Sequence, residues 1–63
     1  MIRELEYMSQ KLRDEQQRIM EDLAAGKAKD HGAYQHACGV IRGLLIANNV
    51  LAEMAERLEK SDE

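Results

Sequence analysis

The chain has few of the residues that usually hold a very small domain together. It contains no proline, phenylalanine or tryptophan. It has only two tyrosines and one cysteine, Cys38. A single cysteine excludes a disulfide within the chain, and scaffolds as short as these 63 residues usually need a staple or a partner. The absence of proline beside abundant Glu, Ala, Leu, Met, Lys, Arg and Gln is typical of helices. We therefore expect a single all-α domain.

The charge balance and the apolar pattern argue against several classes of partner. The net charge is −3, which disfavours nucleic acid because such binding depends on Lys and Arg contacts with phosphates. The longest apolar-rich run, Ala37 to Ala52, is too short and too interrupted for the about 20 residues of a membrane span. The first residues lack the apolar segment of a secretory signal. We expect a protein that is not secreted and has no membrane partner.

Residues 2–25 predict a first helix with a narrow apolar stripe. Five of its heptad positions are apolar: Ile2, Leu5, Leu12, Ile19 and Leu23. Ser9 and Gln16 occupy the remaining two positions, so the stripe is about as wide as a coiled-coil seam. Asp14 and Arg18 are four residues apart, a spacing that predicts an ion pair on the charged side of the helix.

Residues 26–30 predict the turn between two antiparallel helices. Gly26 follows the first helix in the position where glycine commonly adopts a left-handed conformation, and Asp30 is a suitable N-cap for a second helix. The second helix is expected over 31–59, followed by a frayed tail over 60–63. Residues 1–63 are thus predicted to form one helical hairpin that a second copy or a partner protein completes.

The predicted hairpin core combines apolar heptad positions from both helices. Its members are Leu5, Leu12, Ile19, Leu23, Ile41, Leu44, Leu51 and Leu58. In the second helix Tyr34 holds the same central heptad position as Ile41. The flanking positions Val40, Leu45, Ala47 and Met54 are apolar as well, so the predicted face that closes the hairpin and meets the first helix is wide.

The opposite side of the second helix is apolar where charged residues would be expected. Gly39, Gly43, Ile46 and Val50 follow one another at spacings of four, three and four. A glycine inside a helix costs about 1 kcal/mol relative to alanine, and close approach of another backbone can offset that cost. We predict a partner interface here, with Arg42 at its edge either as an anchor for a partner's carboxylate or as a surface arginine whose head reaches solvent. The alternative is chance, because two glycines four residues apart are common.

Asn48 falls at a core heptad position between Leu44 and Leu51. A buried asparagine at such a position can fix the register and the oligomeric state of helices, which is the role predicted here. The alternative is a small rotation of the helix that takes Asn48 to solvent or to a loop.

Residue types that perform chemistry do not form a recognisable site. His31 and His36 are five residues apart, whereas helical metal ligands prefer spacings of three or four. Cys38 lies beside the predicted core, where a small thiol serves as a packing residue. We therefore predict no catalytic residue, no metal site and no cofactor.

The turn and the glycine-containing segment together resemble a known group of proteins. The segment comprises Gly26-Lys27-Ala28-Lys29-Asp30, Tyr34, Cys38-Gly39-Val40-Ile41-Arg42-Gly43-Leu44 and Ala47. It is similar to small helical-hairpin proteins of tailed bacteriophages, in which a G-K-A-x-D-type turn and a C-G-x-I-x-G-L core recur. The resemblance covers about residues 20–52. It implies a virion or head-morphogenesis context and supplies no mechanism.

Two functions follow as hypotheses. The first is a non-enzymatic structural protein, an accessory virion or assembly component that binds itself or a larger phage structural protein through the second helix. It would be found in the virion or in the cytoplasm of the bacterial host. The alternative is a small dimeric four-helix-bundle adaptor that regulates a process by binding a host protein or RNA.

Overall fold

The chain folds into two helices that pack against each other. The structure, a computed structural model, describes residues 2–61 and contains α1 (Ile2–Ala24) and α2 (His31–Ser61). Ser9 of α1 contacts Asn48, while Gln16, seven residues later, contacts Ile41, seven residues earlier in α2. The helices therefore run antiparallel. This confirms the all-helical hairpin predicted from sequence.

The turn forms because Gly26 adopts a conformation that other residues avoid. Its φ is +76°. The Gly26 N–H donates to the Leu23 carbonyl at 3.0 Å, and the Lys27 N–H donates to the Asp22 carbonyl at 3.1 Å. These two bonds are the Schellman motif, which satisfies carbonyls left over at a helix end. The Lys27 ammonium lies 3.2 Å from an Asp22 carboxylate oxygen and adds an ion pair to the motif.

The beginning of α2 has the predicted cap, and its end differs from prediction. An Asp30 carboxylate oxygen accepts a hydrogen bond of 2.8 Å from the Ala33 N–H, as an N-cap residue does. At the other end the helix continues through Lys60 to Ser61. The helix therefore extends two residues past its predicted end at residue 59, and fraying of the tail stays a prediction. Residues 62–63 of the predicted tail lie outside the described residues.

The space between the helices contains little that is fully buried. Leu5, with 7% of its surface exposed, is the one buried hydrophobic residue in the described part of the chain. The other predicted core residues, Leu12, Ile19, Leu23, Ile41, Leu44, Leu51 and Leu58, are half-buried. Two helices enclose only a thin strip of apolar surface, so the hairpin by itself leaves its core open at both edges.

The predicted ion pair on α1 forms with different partners. Arg18 pairs with Glu15, three residues before it, and with Asp22 at 3.4 Å. Asp14 instead accepts a hydrogen bond of 2.8 Å from Gln10. Spacings of three and four residues are both favourable on a helix, and Arg18 has acidic residues at more than one of them, so spacing alone did not select the pair.

Candidate protein-interaction surface

The outer face of α2 consists of Gly39, Gly43, Ile46 and Val50, and α1 does not cover it. Ile46 and Val50 are each 55% exposed. A Cβ atom added at Gly39 or Gly43 would meet nothing within 4 Å. The hairpin therefore gives no packing reason for either glycine, and the predicted interface residues lie together on open surface.

The flanks of the predicted hairpin face are also exposed, contrary to the wide closure expected from sequence. Val40, Leu45 and Met54 are all exposed, Leu45 to 49%. The reason is geometric: α1 contributes only a thin stripe, so it covers the central heptad positions of α2 and leaves the positions on either side open. Tyr34, assigned to a central position beside the turn, is exposed as well.

Two of these exposed residues, Val40 and Met54, belong to a second heptad stripe that sequence reasoning missed. The stripe, termed here the outer seam, is spaced alternately by three and four residues and comprises Val40, Gly43, Ala47, Val50 and Met54. All five residues are exposed and none carries a charge. The 3-4 spacing was visible in the sequence, but Val40, Ala47 and Met54 had been assigned to the side that faces α1.

Arg42 lies at the edge of this surface and is exposed. Successive residues on a helix are about 100° apart, so Arg42 is rotated by that angle from Gly43. The structure thus places Arg42 beside the outer face and not within it.

Asn48 lies between the two helices and not at a loop. Its side-chain oxygen accepts a hydrogen bond from the Ser9 hydroxyl, and both residues are half-buried. Seven residues away, the Gln16 amide nitrogen is 3.5 Å from the Ile41 carbonyl oxygen. Polar residues of α1 therefore contact α2 at two successive heptads. The effect of Asn48 on the oligomeric state stays a prediction.

The two histidines and the cysteine do not converge. The His31 ring stacks on Tyr34 with centroids 6.4 Å apart, while a hydrogen bond with the Cys38 thiol raises the pKa of the Tyr34 hydroxyl. His36 is exposed. Within residues 2–61 no group of three or more His, Cys, Asp or Glu side chains is arranged to hold a metal ion. The groove beside Leu5 and Leu51 is open to solvent.

The apolar character of α2 also meets a general criterion for membrane spans. In the described part of the chain, α2 is the one helix that is long and apolar enough to cross a membrane, over His31–Lys60 and by length and composition only. Core helices of soluble proteins meet the same criterion but are mostly buried, whereas the apolar window of α2 is not buried in this structure. The expectation of no membrane partner stays a prediction. Comparisons of the chain with protein-family models, curated proteins and solved structures found no match.

Proposed function

We propose that this chain is a non-enzymatic interaction protein that binds a partner protein through the outer face of α2. The observation that carries the proposal is the exposure of Ile46 and Val50, each 55%, beside two glycines that face open space. Among residues 2–61, six of the nine large hydrophobic side chains that are exposed lie on α2 and three lie on α1, so α2 carries the larger share of exposed apolar side chains.

The energetics of this face favour its being covered. Complete burial of an aliphatic side chain contributes about 1.5–3 kcal/mol, so Ile46 and Val50 together offer about 3–6 kcal/mol to a partner. Gly39 and Gly43 each cost the isolated helix about 1 kcal/mol. A partner whose backbone approaches closely at these glycines would gain packing contacts that compensate for that cost.

The biological setting is proposed from the resemblance of residues 20–52 to hairpin proteins of tailed bacteriophages. In that setting the protein is an accessory virion or assembly component, and its partner is another copy or a larger structural protein. A small acidic hairpin with one exposed apolar helix face suits such a role, because it can fill a gap in a larger assembly without an activity of its own.

The proposal is tested by site-specific photo-crosslinking in phage-producing cells. A photoreactive residue at Ile46 should yield a crosslinked protein that mass spectrometry also detects in purified virions. The same residue at Gln17, on the exposed charged side of α1, is the matched control and should yield none. Absence of crosslinks at Ile46 contradicts binding through this face. Crosslinks only to a host protein, with no chain in the virion, contradict the structural role and favour the regulatory adaptor.

A further inference from the structure

We infer that the protein seated on the outer seam of α2 is a second copy of this chain, packed antiparallel about Ala47 to form a four-helix bundle. This inference rests on the proposed function, because it names the partner of an overlapping surface: the outer seam shares Gly43 and Val50 with the outer face. The two α2 helices would lie against each other, with each α1 packed on an adjoining side of its own α2.

The area that the hairpin exposes matches what a stable dimer needs. The chain exposes 5136 Å², whereas a compact monomer of 7.2 kDa would expose about 4,100 Å². The excess is about 1,000 Å², and a standard protein interface buries about 800 Å² on each partner. The excess accessible surface of the hairpin is thus close to the area that each copy would bury in one dimer interface.

The direction of the outer seam fits a bundle. In a heptad repeat the seam lies roughly 100° around the helix from the positions that face α1. Helices in a four-helix bundle pack against neighbours on adjoining sides, and an angle near 90° provides two such contacts. α2 would use one stripe for α1 and the other for the second copy.

The residues along the seam complement themselves in antiparallel order. With Ala47 on the two-fold axis, Val40 lies opposite Met54 of the second copy, and Gly43 lies near Val50 of the second copy. Gly43, the smallest residue of the seam, therefore faces a larger one, as interdigitated packing requires. The small Ala47 at the centre allows the two helices to approach closely.

The charge distribution along α2 also favours the antiparallel order. Residues 31–47 carry one formal charge, that of Arg42, whereas residues 48–60 carry three Glu against Arg57 and Lys60, a net −1. A parallel pair would place like charges side by side, and an antiparallel pair sets the positive half of one helix against the negative half of the other. The opposed helix dipoles add to this preference.

A pair of charge substitutions tests the contact surface on the full chain. Val50→Glu changes the seam, and the matched control Leu45→Glu changes a similarly exposed residue, 49% against 55%, about 140° away on the same helix. Val50→Glu should raise the dimer dissociation constant by about 30-fold or more in sedimentation equilibrium, whereas Leu45→Glu should leave it within about twofold. Circular dichroism checks that both variants remain helical. Equal weakening by both, or none by Val50→Glu, overturns the inference.

Cysteine pairing tests the orientation independently of stability. In a Cys38→Ser background, a mixture of Val40→Cys and Met54→Cys chains should oxidise to the mixed dimer. Val40→Cys alone should not crosslink, because the two antiparallel positions are about 21 Å apart along the axis and a disulfide needs Cα atoms within about 7 Å. Efficient Val40→Cys homodimers would show a parallel pair and overturn the inference.

Two further outcomes separate this inference from the proposed function. A chain that is monomeric at high micromolar concentration, yet still crosslinks from Ile46 to another protein, overturns the dimer and leaves the interaction role standing. A monomer that binds phosphatidylcholine–phosphatidylglycerol vesicles, and loses that binding with Val50→Glu, overturns both because the seam then meets a membrane.

Discussion

The Ser9 hydroxyl donates a hydrogen bond to the side-chain oxygen of Asn48 across the two helices, and both residues are half-buried. Asn48 stands at a heptad position that is otherwise apolar along α2, whereas Ser9 shares its position on α1 with Gln16. A shift of one heptad in either direction would separate the two groups and set the Ser9 hydroxyl against apolar Ile41 or Ala55. The pair therefore opposes a change of register within the hairpin, because partly buried polar groups without partners are costly.

Removal of one member of this pair should destabilise the hairpin, and removal of both should not. Ser9→Ala leaves the Asn48 amide without its donor and should lower the free energy of unfolding by about 1 kcal/mol. The double variant Ser9→Ala/Asn48→Leu should equal or exceed the natural chain, since no polar group then remains in that layer. Urea unfolding at one fixed protein concentration measures both. The exposed neighbour Asn49→Ala is the control, and a Ser9→Ala effect no larger than that of the control contradicts the prediction.

Leu5 should contribute more to stability than any methionine of α1. It is 7% exposed, whereas Met8, three residues later, is half exposed. Leu5→Ala should lower the free energy of unfolding by about 2–5 kcal/mol, enough to unfold much of so small a hairpin. Met8→Ala should change it by about 0.5 kcal/mol or less. Thermal unfolding followed by circular dichroism compares the two, and similar melting temperatures would contradict the packing described here.

Alanine substitutions at Gly26 and Gly39 should change the free energy of unfolding in opposite directions. Gly26 has a φ of +76°, where an alanine costs about 1–2 kcal/mol. Gly39 has ordinary helical geometry with open space around its missing side chain, so Gly39→Ala should stabilise the hairpin by about 1 kcal/mol. Both are measured by thermal unfolding at low micromolar concentration, where association contributes least. Stabilisation by Gly26→Ala would contradict the turn.

The pKa of the Glu15 carboxylate should lie below the ordinary value for glutamate. A hydrogen bond from Arg18 lowers the pKa of Glu15, so folding is favoured by this pair above the unfolded pKa, and the contribution is lost as the pH falls through the folded pKa. NMR titration should show the lowered pKa and its return towards the ordinary value in Arg18→Ala. Because both side chains are exposed, 0.5 M salt should weaken the shift. An unchanged titration in Arg18→Ala would contradict the pairing.

Several parts of this structure were predictable because they depend on neighbours in sequence. The turn required only Gly26, which tolerates a positive φ, and Asp30, whose short carboxylate reaches a backbone N–H three residues later. The central heptad residues of α2, such as Leu44 and Leu51, could be placed facing α1 from spacing alone. Side chains with several eligible partners, such as Arg18, could not be paired in this way.

The candidate interaction surface was predictable only in part. Gly39, Gly43, Ile46 and Val50 stood out as apolar residues on the side where charge was expected. Val40 and Met54 did not, because heptad labels order positions around one helix without fixing how wide a strip the partner helix covers.

The sequence by itself determined an all-helical hairpin, its turn and the stripes that face inwards, since these follow from local conformational preferences and from the helical period. Only the tertiary structure decided that Asn48 meets Ser9 and that α1 covers a narrow strip of the apolar surface of α2. Both depend on the relative rotation and offset of two helices, which no local preference sets. That rotation leaves the outer seam open.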